Sequence, residues 1–282
     1  MNSDGNFLTR DQACAIIQFA SSEESVLIGG QAVVFWAEHF GIPQPFPVHT
    51  RDIGFYGGKE AIVEAASRLQ SYNPRVYMAA IDDTTPNSGR IAVDVRGLDT
   101  PCEIDFMYLV KGLSSTEVLD KAIRLSIDGI EIKVLHPLLL VESKLTNVAT
   151  SPRKRDAASL AEARLSIEVA RHFIASTVDL NDPRATLNMV KRELRFANTD
   201  EARCCWYHFD LDVVRVVPAN ELRASPEPTI KRFATEDMPI DLQRLDERRA
   251  RYRNIVDRQK AFEASRQAAP QPSPPVDNRP SP

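Results

Sequence analysis

The sequence predicts an α+β fold: a mixed α/β sheet domain over residues 1–135, a helical domain over 136–265 and a Pro-rich, disordered tail over 266–282. Three observations predict it. Short apolar runs bounded by Gly and Pro recur through the first half, as strands do. From His136 onward apolar residues fall three and four apart, the period of amphipathic helices. From about Gln267 the chain is mostly Ala, Pro, Ser and Gln, which bury too little apolar area to offset the entropy of ordering.

Thr9 and Gln12 stand at the spacing of a capping box and predict a helix to about Ala20. Val26, Leu27 and Ile28 form a buried-strand run that ends in Gly29-Gly30. Ala32, Val33, Phe35, Trp36 and Phe40 then continue at helical spacing to Gly41, giving a strand, glycine turn and helix. After the loop Pro43 to Pro47, Ile53 and Phe55 alternate with Asp52 and Gly54, so a strand with one apolar and one open face is expected. A helix over about 60–70 follows, then strands at 75–80, 91–95 and 102–110. The Asp128-Gly129 pair between Ile127 and Ile130 predicts a tight hairpin. In the second half, 138–148, 157–174, 185–196 and the highly charged 242–262 read as helices, with breaks at Pro183, Pro218, Pro226, Pro228 and Pro239.

Composition narrows the function. With 43% hydrophobic and 26% charged residues and a net charge of −4, the chain is globular and unsuited to coating nucleic acid by bulk charge. None of the four cysteines stands in a Cys-x-x-Cys pair, and Cys204 with His208 lacks the second ligand pair of a structural zinc site. The cysteines are expected to be reduced packing residues. No run of eighteen apolar residues and no basic-then-apolar leader occurs, so a cytoplasmic protein without a membrane partner is expected. Walker, Rossmann and nucleophile-elbow motifs are missing. His136 and His172 read as capping or packing residues, and Trp206, Tyr207 and Phe209 as core, because no Lys or Arg is interleaved among them.

The informative combination is Ile28-Gly29-Gly30-Gln31-Ala32, then Thr50-Arg51-Asp52-Ile53-Gly54-Phe55, then Glu103-Ile104-Asp105-Phe106. Over roughly residues 20–150 it resembles the polymerase-β-type nucleotidyltransferase superfamily, in particular its AbiEii-like bacterial branch of toxin-related proteins. The resemblance implies a site in which Gly29 and Gly30 let nucleotide phosphates approach the amides of a helix N-terminus. Asp52 and Asp105 would be the catalytic carboxylates and ligands of Mg2+, with a nucleoside triphosphate as substrate. It also implies a basic residue, here Lys144 on the helix 136–148, facing the phosphates. An RNA or protein acceptor and an antitoxin partner are further implications. The Arg153-Lys154-Arg155 cluster is a candidate phosphate contact or a solvated loop.

One position departs from the pattern. Where the family carries an acid two residues after the first aspartate, this chain has Gly54. Glu103, two residues before Asp105 and so on the same strand face, is the candidate replacement metal ligand, or else a solvated edge residue. Asp105 has an alternative as a partly buried carboxylate bonded to backbone, and Lys144 as an exposed lysine. Two functions are therefore expected side by side: transfer of a nucleotidyl group to a hydroxyl, or an impaired nucleotidyltransferase fold acting as a binding or regulatory module.

Overall fold

The computed structural model describes residues 8–43, 52–80, 85–127, 129–178 and 182–268. Thr50, Arg51, most of the 43–47 loop, Asp128 and the tail beyond 268 lie outside the described residues. The helix α1, Arg10–Ala20, opens with the expected capping box: the Thr9 hydroxyl accepts from the Gln12 amide and the Gln12 side chain accepts from the Thr9 amide. Strand β1, Val26–Ile28, is buried throughout, and α2, Gly29–His39, starts directly after it.

A seven-stranded mixed sheet follows from β1, β2 (Asp52–Tyr56), β3 (Arg75–Met78), β4 (Asn87–Val93), β5 (Cys102–Met107), β6 (Ile123–Ile127) and β7 (Ile130–Val134). The strand order is β3-β4-β5-β2-β1-β7-β6. The pairs β2 with β5 and β1 with β7 are parallel, and the other four are antiparallel. Helix α3, Lys59–Arg68, crosses between β2 and β3, and the capped α4, Ser115–Asp120, precedes β6. Gly129, at φ +79, makes the expected hairpin between β6 and β7.

Alternation fixes which face is open. Along β5, Cys102, Ile104 and Phe106 are buried while Glu103, Asp105 and Met107 are half-buried. Along β2, Ile53 and Phe55 are buried between Asp52, Gly54 and Tyr56. Phe55 and Phe106 stack at 5.5 Å on the inner face, locking the parallel pair in register. β4 begins at Asn87, four residues before its expected start, because pairing with β5 recruits polar residues that carry no apolar signal.

The second half is helical: α5 (Pro137–Thr150), α6 (Ala157–Thr177), α7 (Pro183–Phe196), α8 (Asp200–Phe209), α9 (Ala219–Ala224), α10 (Pro228–Arg232) and α11 (Met238–Ala268). A π-helical turn, Phe233–Asp237, joins the last two. Pro183 and Pro228 mark helix starts, where the missing amide proton costs nothing. Pro239 lies in the first turn of α11 directly after that π-helical turn, so the helical run continues through it rather than ending there. Two hydrophobic clusters result, and α5 feeds both. Leu139 and Leu140 join the cluster under the sheet, while Leu138, Val141, Leu145 and Val148 join the one among the helices. Trp36, fully buried, donates from its indole nitrogen to the Leu135 carbonyl at 2.9 Å and ties α2 to the entry of α5. Among the described residues no helix is long and apolar enough to cross a membrane.

Candidate functional site

The parallel register of β2 and β5 gathers the acids. Asp52 pairs with Glu103 and Gly54 with Asp105, so all four positions share the open face with backbones about 4.8 Å apart. Arg90 on β4 pairs with Asp105 in register and its guanidinium holds Glu103 at 2.9 Å. Asn87 donates to Asp105 at 3.4 Å. Partial burial raises the Asp105 carboxyl above its ordinary range; the negative charges of Asp52 and Glu103 add to this, and Arg90 and Lys154 pull the other way. The same two carboxylates, behind burial, help push the Cys102 thiol up to about 12, so it is no nucleophile.

The glycine turn lies beside this face. Ile28 pairs with Gly54 across the antiparallel β1 and β2, and Gly29 follows it at φ +77, a conformation that favours glycine. The N-cap of helix α2 is Ile28, whose apolar side chain makes no capping hydrogen bond. Gly54 itself has ordinary backbone, and a Cβ there would meet Ile28 at 3.4 Å or beyond, which is normal contact. Its lack of a side chain is therefore a chemical departure that neither strain nor crowding requires.

The structure thus brings Asp52, Glu103 and Asp105 together beside Gly29 and Gly30. Lys144 is otherwise engaged: it pairs with Glu162 of α6, and both side chains are largely buried. Two cations that the sequence reading did not assign to Asp105 bear on it instead. Arg90 comes from the outward position of β4, and Lys154 from the turn Pro152–Lys154 between α5 and α6. The 153–155 basic run was the signal for the second; Arg90 had none, because β4 was expected to begin after it.

The carboxylates do not fit a metal cage as they stand. Among the described residues no three His, Cys, Asp or Glu side chains converge in a way that could hold an ion. Glu103 is turned to Arg90, and Gly54, two residues after Asp52, offers no side chain.

A different expectation is overturned in the helical half. Trp206 and Tyr207 are half-exposed and line a cavity with Arg164 and Arg253 rather than filling the core, while Phe209 lines the same cavity and packs against the helical core. Their cations come from α6, α11 and the turn before α6, so local sequence could not reveal them.

No family model matches the chain, and no curated protein does either. Among solved structures, the antibiotic-resistance factor ANT(2'')-Ia is similar at 11% identity over 67% of this chain and 95% of that chain, with a TM-score of 0.38. An antigenic nucleotidyltransferase-like protein from Paracoccidioides brasiliensis is similar at 14% identity over 66% of this chain and 90% of that one, with a TM-score of 0.39. Likenesses of this depth carry no conclusion about activity.

Proposed function

We propose that the chain is a nucleotidyltransferase-fold protein that binds a nucleoside triphosphate beside Asp52 and Asp105, and that Gly54 leaves it impaired in transfer and working as a binding or regulatory module. The observation that carries this reading is the register: Gly54 stands two residues after Asp52 and directly opposite Asp105, where a third carboxylate would complete the set. Glu103 does not substitute for it while Arg90 holds it. The N-terminus of α2, which the Ile28 side chain leaves without a cap, points backbone amides toward a phosphate after Gly29. Lys154 supplies a positive charge near the carboxylates, and Lys144 contributes only where its pair with Glu162 opens. Magnesium, when bound, would neutralise phosphate charge, but the donors among the described residues do not form its cage.

Calorimetric titration with each of the four ribonucleoside triphosphates, with and without magnesium, tests the reading in the native chain, Asp52→Ala and Gly54→Asp. The reading expects nucleotide binding without turnover in the native chain, and magnesium-dependent turnover gained in Gly54→Asp. Because a Cβ at 54 meets only ordinary contacts, that variant is expected to fold. Failure of every nucleotide to bind would overturn the site.

A second reading, an active magnesium-dependent nucleotidyltransferase, is favoured by the crowding of Asp52 and Glu103 on Asp105, a repulsion that a divalent cation would relieve. Native turnover lost in Asp52→Ala would establish it. The AbiEii-like resemblance extends either reading to an RNA or protein acceptor and an antitoxin partner. Growth arrest on expression of the chain, relieved by a co-expressed partner, would support that extension.

A further inference from the structure

Helix α8 ends in four consecutive ring side chains, Trp206, Tyr207, His208 and Phe209, and a cavity of about 610 Å³ opens along them. A space of that size holds a ligand as large as a nucleotide. Cations from distant parts of the chain stand over the rings. Arg253 of α11 lies 5.0 Å from the Trp206 ring centre, Lys260 4.6 Å from Tyr207, and Arg155 5.5 Å from Phe209.

The neighbouring acids are already engaged. Asp212 holds Arg249 at 2.5 and 3.0 Å, Asp210 at the rim faces Arg215 at 3.4 Å, and Asp257 accepts the Tyr207 hydroxyl. Arg249 is buried and also lies 4.9 Å from the Trp206 ring centre, so it pins the indole in place. Arg164 donates only to the Phe209 carbonyl, at 3.3 Å, and Arg253 only stacks; both are exposed, and neither forms an ion pair with a described carboxylate. Partial burial, then Lys260 and Arg155, lower the His208 pKa, so at neutral pH its ring adds no charge of its own.

Ring side chains beside guanidinium groups that pair with no described carboxylate match the two parts of a nucleotide: the base stacks on aromatic where Arg253 and Arg155 now stack, and the phosphate takes charge-assisted hydrogen bonds from the arginines. We propose that this cavity is a second ligand site, which takes a nucleotide with its base against the Trp206 and Phe209 rings and its phosphate at Arg164 and Arg253. The nucleotide is free or stands at the end of a single-stranded RNA. Arg155 directly follows Lys154, whose charge reaches Asp105, so one short turn of chain runs between the carboxylate face and this cavity. The site stands whether or not the carboxylate face binds nucleotide.

The chain has two tryptophans, and Trp36 is 1% exposed, so quenching of fluorescence on ligand addition reports Trp206. The full chain is titrated with adenosine monophosphate, a short single-stranded oligoadenylate and inorganic phosphate. Saturable quenching by both adenylates supports a site for free nucleotide, and quenching by the oligonucleotide alone supports a strand end. Arg253→Ala and Arg164→Ala are each expected to weaken binding about tenfold, while Asp52→Ala leaves it unchanged. Absence of quenching by either adenylate, equal response to phosphate alone, or full affinity in both arginine variants would overturn the proposal.

Discussion

On the open face of β2 and β5, Asp52, Glu103 and Asp105 crowd one another, and among the described residues Arg90 is the cation bonded to any of them. Between α5 and α7 the opposite holds. Arg192 bonds Glu142 at 2.5 and 2.6 Å and Glu117 at 2.8 Å, so the largely buried Glu142 is matched by a fork of donors. Charges gathered without partners work against the fold, whereas matched ones pin helices in register. The contrast sets the crowded face, where binding is proposed, against a matched network that holds helices together. Glu193 breaks the pattern in the helical half: it is fully buried, and neither carboxylate oxygen has a hydrogen-bond partner among the described residues.

The largest expected effect comes from Arg192→Ala. It strands the buried Glu142 and should cost about 3–5 kcal/mol of unfolding free energy, read by urea denaturation. A loss below about 1 kcal/mol would mean that the network does not hold the helices.

Glu193→Met should have the next effect. Burial, reinforced by the charge of Glu142, raises the Glu193 carboxyl well above its ordinary 4.5. A raised carboxyl contributes its stability below the unfolded value and loses it as pH rises, so the native chain should weaken from about pH 5 upward. The methionine variant should flatten that slope and gain about 1–3 kcal/mol at pH 8, measured as unfolding free energy against pH. An unchanged slope would show that a partner satisfies Glu193.

Asp105→Asn carries the same sign on the other side of the comparison. Its raised carboxyl also loses stability as pH rises, so the amide should stabilise the chain slightly at pH 8, a gain that solvent screening of the half-buried group keeps small, while abolishing nucleotide binding. Destabilisation instead would place Asp105 among the architectural carboxylates. The smallest change is expected from Arg90→Gln. The Arg90–Glu103 pair is exposed, with side chains 46% and 42% accessible, so less than about 1 kcal/mol should be lost in thermal denaturation. The same substitution frees Glu103, and tighter magnesium binding by calorimetry would mark that residue as the replacement ligand.

The sheet half was largely legible from the chain alone. The capping box at Thr9, the run Val26 to Ile28 into Gly29, the alternation at Ile53 and Phe55 and the Asp-Gly turn are local signals, because each depends on neighbours within a few residues. They also gave the face that carries Asp52, Glu103 and Asp105, since side chains two apart on a strand point the same way.

Pairing across the sheet was decided by tertiary structure. It set Gly54 opposite Asp105, turned Arg90 to Glu103 and extended β4 back to Asn87, because strand register depends on residues far apart in sequence. Helix packing decided the rest. The fate of Lys144 depended on Glu162 one helix away, and the cations over Trp206 and Tyr207 come from α11, more than forty residues onward. The sequence by itself determined the acids of the sheet domain and the open faces of β2 and β5. Only the fold decided which charges met, because an ion pair or a stacked cation is a property of two surfaces and no local pattern records it.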